Sequence, residues 1–183
     1  MTPVVVIVGL YRILGSLLVL RWPFWGAIVA IGVDLTDLLL LDILVPAGLG
    51  PWPDYQGLDK WLDQVYLLAF LVVAIRDFRP LEKWIAVALY AFRMVGFVAF
   101  ELGAPRELLF LFPNLFEFWF LAVVTVGHFR PSFVWTPARA AAALAVLLGA
   151  KLVQEWALHI ERLFDSFTFL EALDWIRRMV TGT

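Results

Sequence analysis

No cysteine occurs among the 183 residues, and histidine occurs only twice, at His128 and His159. That composition removes the ligands of a thiolate zinc site, an iron–sulfur cluster and a thiol redox centre. A bis-histidine haem needs its two histidines side by side, and the helices predicted below carry these two towards opposite sides. Charge is also scarce, at 16% of residues and a net −2, and no basic tract interleaved with aromatics points to nucleic acid. No basic stretch precedes the first apolar run, and Arg12 interrupts that run, so it reads as a retained helix rather than a cleaved signal.

What the chain has in quantity is apolar surface, with 63% hydrophobic residues. The apolar residues fall in runs long enough to cross about 30 Å of hydrocarbon as helix, and they lack the alternation of a barrel strand. Six spans are predicted, at about 3–20, 23–46, 60–76, 81–103, 106–127 and 137–160. The fold class is therefore all-α, a polytopic membrane bundle of about six transmembrane helices over residues 1–160. Residues 161–183 form a tail of different character. Glu161, Asp165, Glu171, Asp174 and Arg178 recur there opposite Leu163, Phe167, Leu170 and Ile176, the pattern of an interfacial amphipathic helix. It reads equally as a lipid-surface contact or as a cap on the bundle.

The breaks between spans have physical causes. Arg21-Trp22-Pro23 divides the first two, and Pro46, Gly48, Gly50, Pro51 and Pro53 make the longest loop. Arg76 to Pro80, then Gly103 with Pro105, and finally Arg130, Pro131 and Pro137 mark the later turns. Trp22, Trp25, Trp52, Trp61, Trp84, Trp135 and Trp156 fall near span ends, as interfacial aromatics do. The N-terminus, the 47–59 and 104–105 loops and the tail then share one side, called side one. The turns at Arg21, Arg76–Lys83 and Arg130–Arg139 lie on side two.

Sorted by depth, the ionisable residues gather in the half towards side one. Between Asp34 and Asp63 there are six aspartates: Asp34, Asp37, Asp42, Asp54, Asp59 and Asp63. Asp54 belongs to a loop, and Asp42 is rotated away from Asp37. Glu101, Arg93, Lys60, Arg106, Glu107, Asn114, Glu117, Lys151, Glu155 and His159 lie at similar depth on other spans. A charge in hydrocarbon costs a few kcal/mol even on insertion scales, so these groups must face one another, a metal or water. Asp34/Asp37 and Asp59/Asp63 can each share a helix face, and Lys151, Glu155 and His159 form a stripe. Four convergent carboxylates suit a hard divalent cation, Mg²⁺ or Mn²⁺. Lys60, Arg93, Arg106 and Lys151 suit the oxygens of a phosphate, and Glu117, Glu155 and His159 could form a polar relay. The structural alternative is that Arg93, Glu101, Lys151 and Glu155 pair as glue between helices. Pro113-Asn114 is expected to kink the fifth span, and the aromatic run of Phe110, Phe112, Phe116, Phe118, Trp119 and Phe120 is expected to face lipid.

Asp34-Leu-Thr-Asp37, a loop, and Leu58-Asp59-Lys-Trp-Leu-Asp63 together resemble the signature of the CDP-alcohol phosphatidyltransferases. In that family a D-x-x-D pair ending one span faces a D-x-x-x-D pair opening the next. The resemblance covers about 30 residues and implies six spans, two divalent ions and a lipid-linked pyrophosphate. It implies Asp34, Asp37, Asp59 and Asp63 as metal ligands and Asp63 as the catalytic base. The sequence departs from the pattern at Leu38, Leu41-Asp42 and Tyr55, where the family has Gly, Ala-Arg and Gly contacting the nucleotide. The resemblance thus carries metal and phosphate rather than a cytidine donor. The basic loops Arg21, Arg76, Arg79, Lys83, Arg130 and Arg139 incline side two to the cytoplasm and the acids outward, unlike the family, whereas Lys60, Arg106 and Arg162 with Arg177 and Arg178 of the tail nearly balance them on side one, so orientation is left open.

The reading is an integral membrane protein with a buried acidic metal site, performing phosphoryl or phosphatidyl transfer on a lipid-linked substrate. Its expected partners are membrane lipids and a phosphate-bearing lipid, without nucleic acid and with self-association left open. A small cation- or proton-coupled transporter or channel component, and a non-catalytic membrane scaffold, are the alternatives.

Overall fold

The computed structural model describes residues 2–49, 55–105 and 108–159, with backbone alone at 55–60, 109–110 and 154–159. The tail 161–183 lies outside these residues, as do Arg106, Glu107 and the side chains of Asp59, Lys60, Glu155 and His159. All regular structure among the described residues is helical. The elements are α1 (Pro3–Leu17, continued by a 3₁₀ turn at Leu18–Leu20), α2 (Pro23–Leu44), α3 (Tyr55–Asp77), α4 (Pro80–Glu101), the single turn α5 (Leu108–Leu111), α6 (Leu115–Phe129) and α7 (Pro137–His159). A wide π-type turn, Val45–Leu49, ends α2.

Proline opens α1, α2, α4 and α7, where its missing N–H belongs to no intrahelical bond. Among the described residues two stretches, Pro3–Leu20 and Pro80–Glu101, are long and apolar enough to cross a membrane, and Leu115–Phe129 is a shorter apolar helix. The fifth run is broken rather than merely kinked. Pro113 can donate no bond, and the Asn114 side chain caps α6 by accepting from Glu117 N at 3.4 Å.

Helix α1 packs on α2 and α3, α4 on α3 and α6, and α6 also on α2 and α7. The buried face of α1 reads Val4, Val8, Arg12, Ser16, one residue per turn. Two glycines let helices approach. A Cβ at Gly15 would stand 2.7 Å from Val33 Cγ2, and one at Gly26 would stand 2.3 Å from the backbone nitrogen of Val19. Backbone cannot give way as a side chain can, so Gly26→Ala is expected to cost about 1–3 kcal/mol through overpacking. Thermal unfolding in detergent would register this as a lowered Tm, whereas an unchanged Tm would mean that α2 does not sit this close to the 3₁₀ turn.

The core is aromatic and lies against α6. Phe116, Trp119 and Phe120 are fully buried together with Phe70, Val73 and Ala74 of α3 and Ala86 of α4. The expectation of a lipid-facing aromatic run is thereby corrected for Phe116, Trp119 and Phe120. Residues 116, 119, 120, 123 and 124 repeat at helical spacing and form one buried face of α6. By contrast Leu14, Leu35, Val72, Val95 and Val146 present large apolar side chains outward.

Candidate functional site

Arg12 is the centre of the acid cluster. Its Nη1 donates to Asp37 Oδ2 at 2.8 Å, and its Nη2 donates to Asp34 Oδ1 and Asp63 Oδ1. Thus Asp34 and Asp37 of α2 and Asp63 of α3 converge on a guanidinium supplied by α1. The close approach of α1 to α2 at Gly15 brings the two helices within reach of this contact. Burial is graded across the set: Arg12 and Asp37 are 2% exposed, while Asp34 and Asp63 keep 31% and 25%. A guanidinium offers five donors in a planar fork, which is why one residue can serve three carboxylates.

A second polar group adjoins the first. The Tyr66 hydroxyl donates to Glu117 Oε2 at 3.2 Å, and Asn114 Nδ2 donates to the same oxygen at 2.8 Å. Lys151 of α7 is buried, with its ammonium 5.2 Å from the Phe118 ring centroid. Arg93 of α4 donates from Nη1 to the carbonyl of Phe112 at 2.9 Å, at the break before α6. Gly96 makes that meeting of α4 with Phe112 feasible, since a Cβ there would stand 2.4 Å from Phe112 Cβ. Glu117 lies within electrostatic reach of Lys151, Asp34 and Arg93, and Tyr66 within reach of Asp63 and Asp34. The two groups therefore form one charge network spanning α1, α2, α3, α4, α6 and α7.

The network is closed in one direction by aromatic rings. Tyr66 meets Phe70 edge-on at 5.5 Å, and Phe70 stacks on Phe120 at 4.2 Å. Phe78 continues the stack at 5.4 Å from Phe120. These rings form a buried stack running from Tyr66 beside the charges towards Phe78 at the α3–α4 turn.

Of the residues singled out in the sequence, Asp34, Asp37 and Asp63 meet at one point, and Glu117, Arg93 and Lys151 stand beside it. Asp42 and Glu101 are exposed and outside the cluster. Asp59, Lys60, Arg106, Glu155 and His159 fall outside the described side chains. Arg12 was not anticipated. Among the described residues no group of three or more His, Asp or Glu is arranged to hold a metal ion, and the point where the three acids meet already holds Arg12. No protein family, curated protein or solved structure matches the chain.

Proposed function

We propose that the chain is an integral membrane protein of six spans whose polar centre acts from one face on a phosphate-bearing lipid or lipid-linked substrate, by phosphoryl or phosphatidyl transfer. The membrane part is supported by the outward apolar side chains and by the two described helices long and apolar enough to cross a bilayer. The observation that carries the functional part is the convergence of Asp34, Asp37 and Asp63 from α2 and α3 on one cationic point. Bridging of helices needs only one acid per arginine, and the two further acids gathered on Arg12 are what supports the reading.

In this reading Arg12 is the resident cation of the acid set. Asp34, Asp37 and Asp63 would hold a divalent ion, Mg²⁺ or Mn²⁺, and the Arg12 guanidinium matches the oxygens of a substrate phosphate as a fork. When bound, the metal would neutralise charge on the phosphate. Asp34 and Asp63, the half-buried members, meet the substrate first, and Asp63 is the base for an acceptor hydroxyl. Arg93 and Lys151 add positive charge on the α6 side. The aromatic stack makes the site one-sided, which suits an enzyme better than a conduction path.

The continuation of the network through Tyr66 to Glu117 favours a second reading, a proton- or cation-coupled transport component. The two readings separate in a pair of measurements on purified protein. The enzyme reading expects Mn²⁺ binding by electron paramagnetic resonance that weakens at least about tenfold in Asp63→Asn, as loss of one charged oxygen ligand should. Transport expects proton flux across liposomes carrying the protein, and flux without Mn²⁺ binding would replace the first reading by the second.

A further inference from the structure

We propose that the bundle carries a second site at its side-two end, for the phosphate headgroup of an anionic phospholipid, built on Arg79 and His128. The proposal rests on the membrane reading above and is independent of the chemistry of the acid centre.

A cavity of about 340 Å³ opens where the start of α2, the end of α3, the start of α4 and the end of α6 meet. That is within the range of roughly 300–1,000 Å³ usual for small-ligand sites. Part of its lining is apolar, including Val73, Phe78, Val123 and Val124. Four titratable side chains also line it: Asp77, Arg79, Glu82 and His128.

The two acids are already engaged. Arg76 donates to both oxygens of Asp77 at 2.7 Å, and these bonds hold the Asp77 carboxyl below its ordinary range. Glu82 is buried and accepts from the backbone N–H of Arg79 at 3.1 Å, closing the first turn of α4. The two nitrogen bases are less occupied. Among the described residues the Arg79 guanidinium makes a single long bond, 3.5 Å from Nη1 to the carbonyl of Phe133. His128 stacks flat on Phe24, with centroids 4.3 Å apart and planes 10° from parallel, and meets Trp25 and Phe129 edge-to-face, while among the described residues its ring nitrogens make no hydrogen bond.

The cavity therefore offers cationic and N–H donors at its polar lining and hydrocarbon elsewhere. An anion with an attached apolar body matches both. Arg21 and Arg130 in the turns of the same end, and Lys83 and Arg139 in the first turns of α4 and α7, extend the positive field. Within a bilayer the ligand that joins a phosphate anion to hydrocarbon is an anionic phospholipid of that leaflet. Its phosphate fits the Arg79 fork, with the glycerol and chain roots against Val73 and Val123.

The test titrates the full chain in detergent micelles with short-chain phosphatidylglycerol, phosphatidylcholine and inorganic phosphate, following tryptophan emission, since Trp135 lines the cavity. Phosphatidylglycerol is expected to bind about fivefold more tightly than phosphatidylcholine, and Arg79→Gln is expected to abolish that preference. Equal binding of the two lipids, equal binding of inorganic phosphate, or a preference that survives Arg79→Gln would each overturn the site. Should Arg79→Gln fail to fold, His128→Ala carries the same prediction and is overturned by the same unchanged preference. A chain that leaves the membrane fraction on carbonate washing would remove the membrane reading itself. Retention in that fraction without lipid preference would remove only this proposal.

Discussion

Arg12→Leu is expected to cost about 3–5 kcal/mol of stability, because it strips the buried Asp37 of its guanidinium partner. Asp37 is only 2% exposed, so water cannot take the place of the lost charge. Arg12→Lys keeps the charge but replaces a planar fork by a single ammonium, and should lose less. The double variant Arg12→Leu, Asp37→Leu should recover most of the loss, since an apolar pair of similar size has no buried charge to satisfy. Denaturant titration in detergent of the parent, Arg12→Leu, Asp37→Leu and the double variant gives the cycle directly, with Arg12→Lys measured beside it. A single-variant loss under about 1 kcal/mol, the scale of exposed ion pairs, would mean that Arg12 does not sit among these acids.

Trp119→Ala is expected to cost a similar amount, about 3–5 kcal/mol, for a different reason. The ring is fully buried, lies 5.0 Å from Trp135 and donates from Nε1 to the carbonyl of Glu82 at 3.1 Å. Its removal leaves a cavity in the buried core and an acceptor on α4 without its donor. The core around it should then admit water. Because the chain has no cysteine, a single probe such as Ala74→Cys reports on this cleanly. Ala74 is fully buried, so a water-soluble maleimide should modify the probe slowly in the parent protein and rapidly beside Trp119→Ala. Equal rates would show that Trp119 is not part of a seal.

Much of the helix pattern was legible because prolines, glycines and arginines punctuate it. The predicted runs 3–20, 23–46 and 137–160 compare with Pro3–Leu20, Pro23–Leu44 and Pro137–His159. Helix α3 begins at Tyr55 rather than near 60, since hydropathy marks where a helix becomes apolar and not where it starts. The break before α6 was half visible: Pro113 signalled a defect, but only the geometry of Asn114 turns a kink into a capped new helix. That Asp34, Asp37 and Asp63 meet followed from their spacing on neighbouring runs. Arg12 was invisible as a partner because its acids lie 22, 25 and 51 residues away. A signal did exist in the stripe Val4, Val8, Arg12, Ser16, which puts the arginine on the buried face of α1. The misreading of the aromatic run has a similar cause. In a membrane chain lipid-facing and core-facing residues are both apolar, so only the helical spacing of Phe116, Trp119, Phe120, Val123 and Val124 distinguishes them.

The central claim is that the carboxylates clasping Arg12 form a cation site. Crystals soaked in millimolar Mn²⁺ test it most directly through anomalous scattering at the manganese edge. The account predicts a peak within coordination distance of Asp34, Asp37 and Asp63, about 2.0–2.6 Å from their oxygens, with the Arg12 guanidinium moved off that point. Crystals that show no peak there, with Arg12 still bound to all three acids, would contradict it.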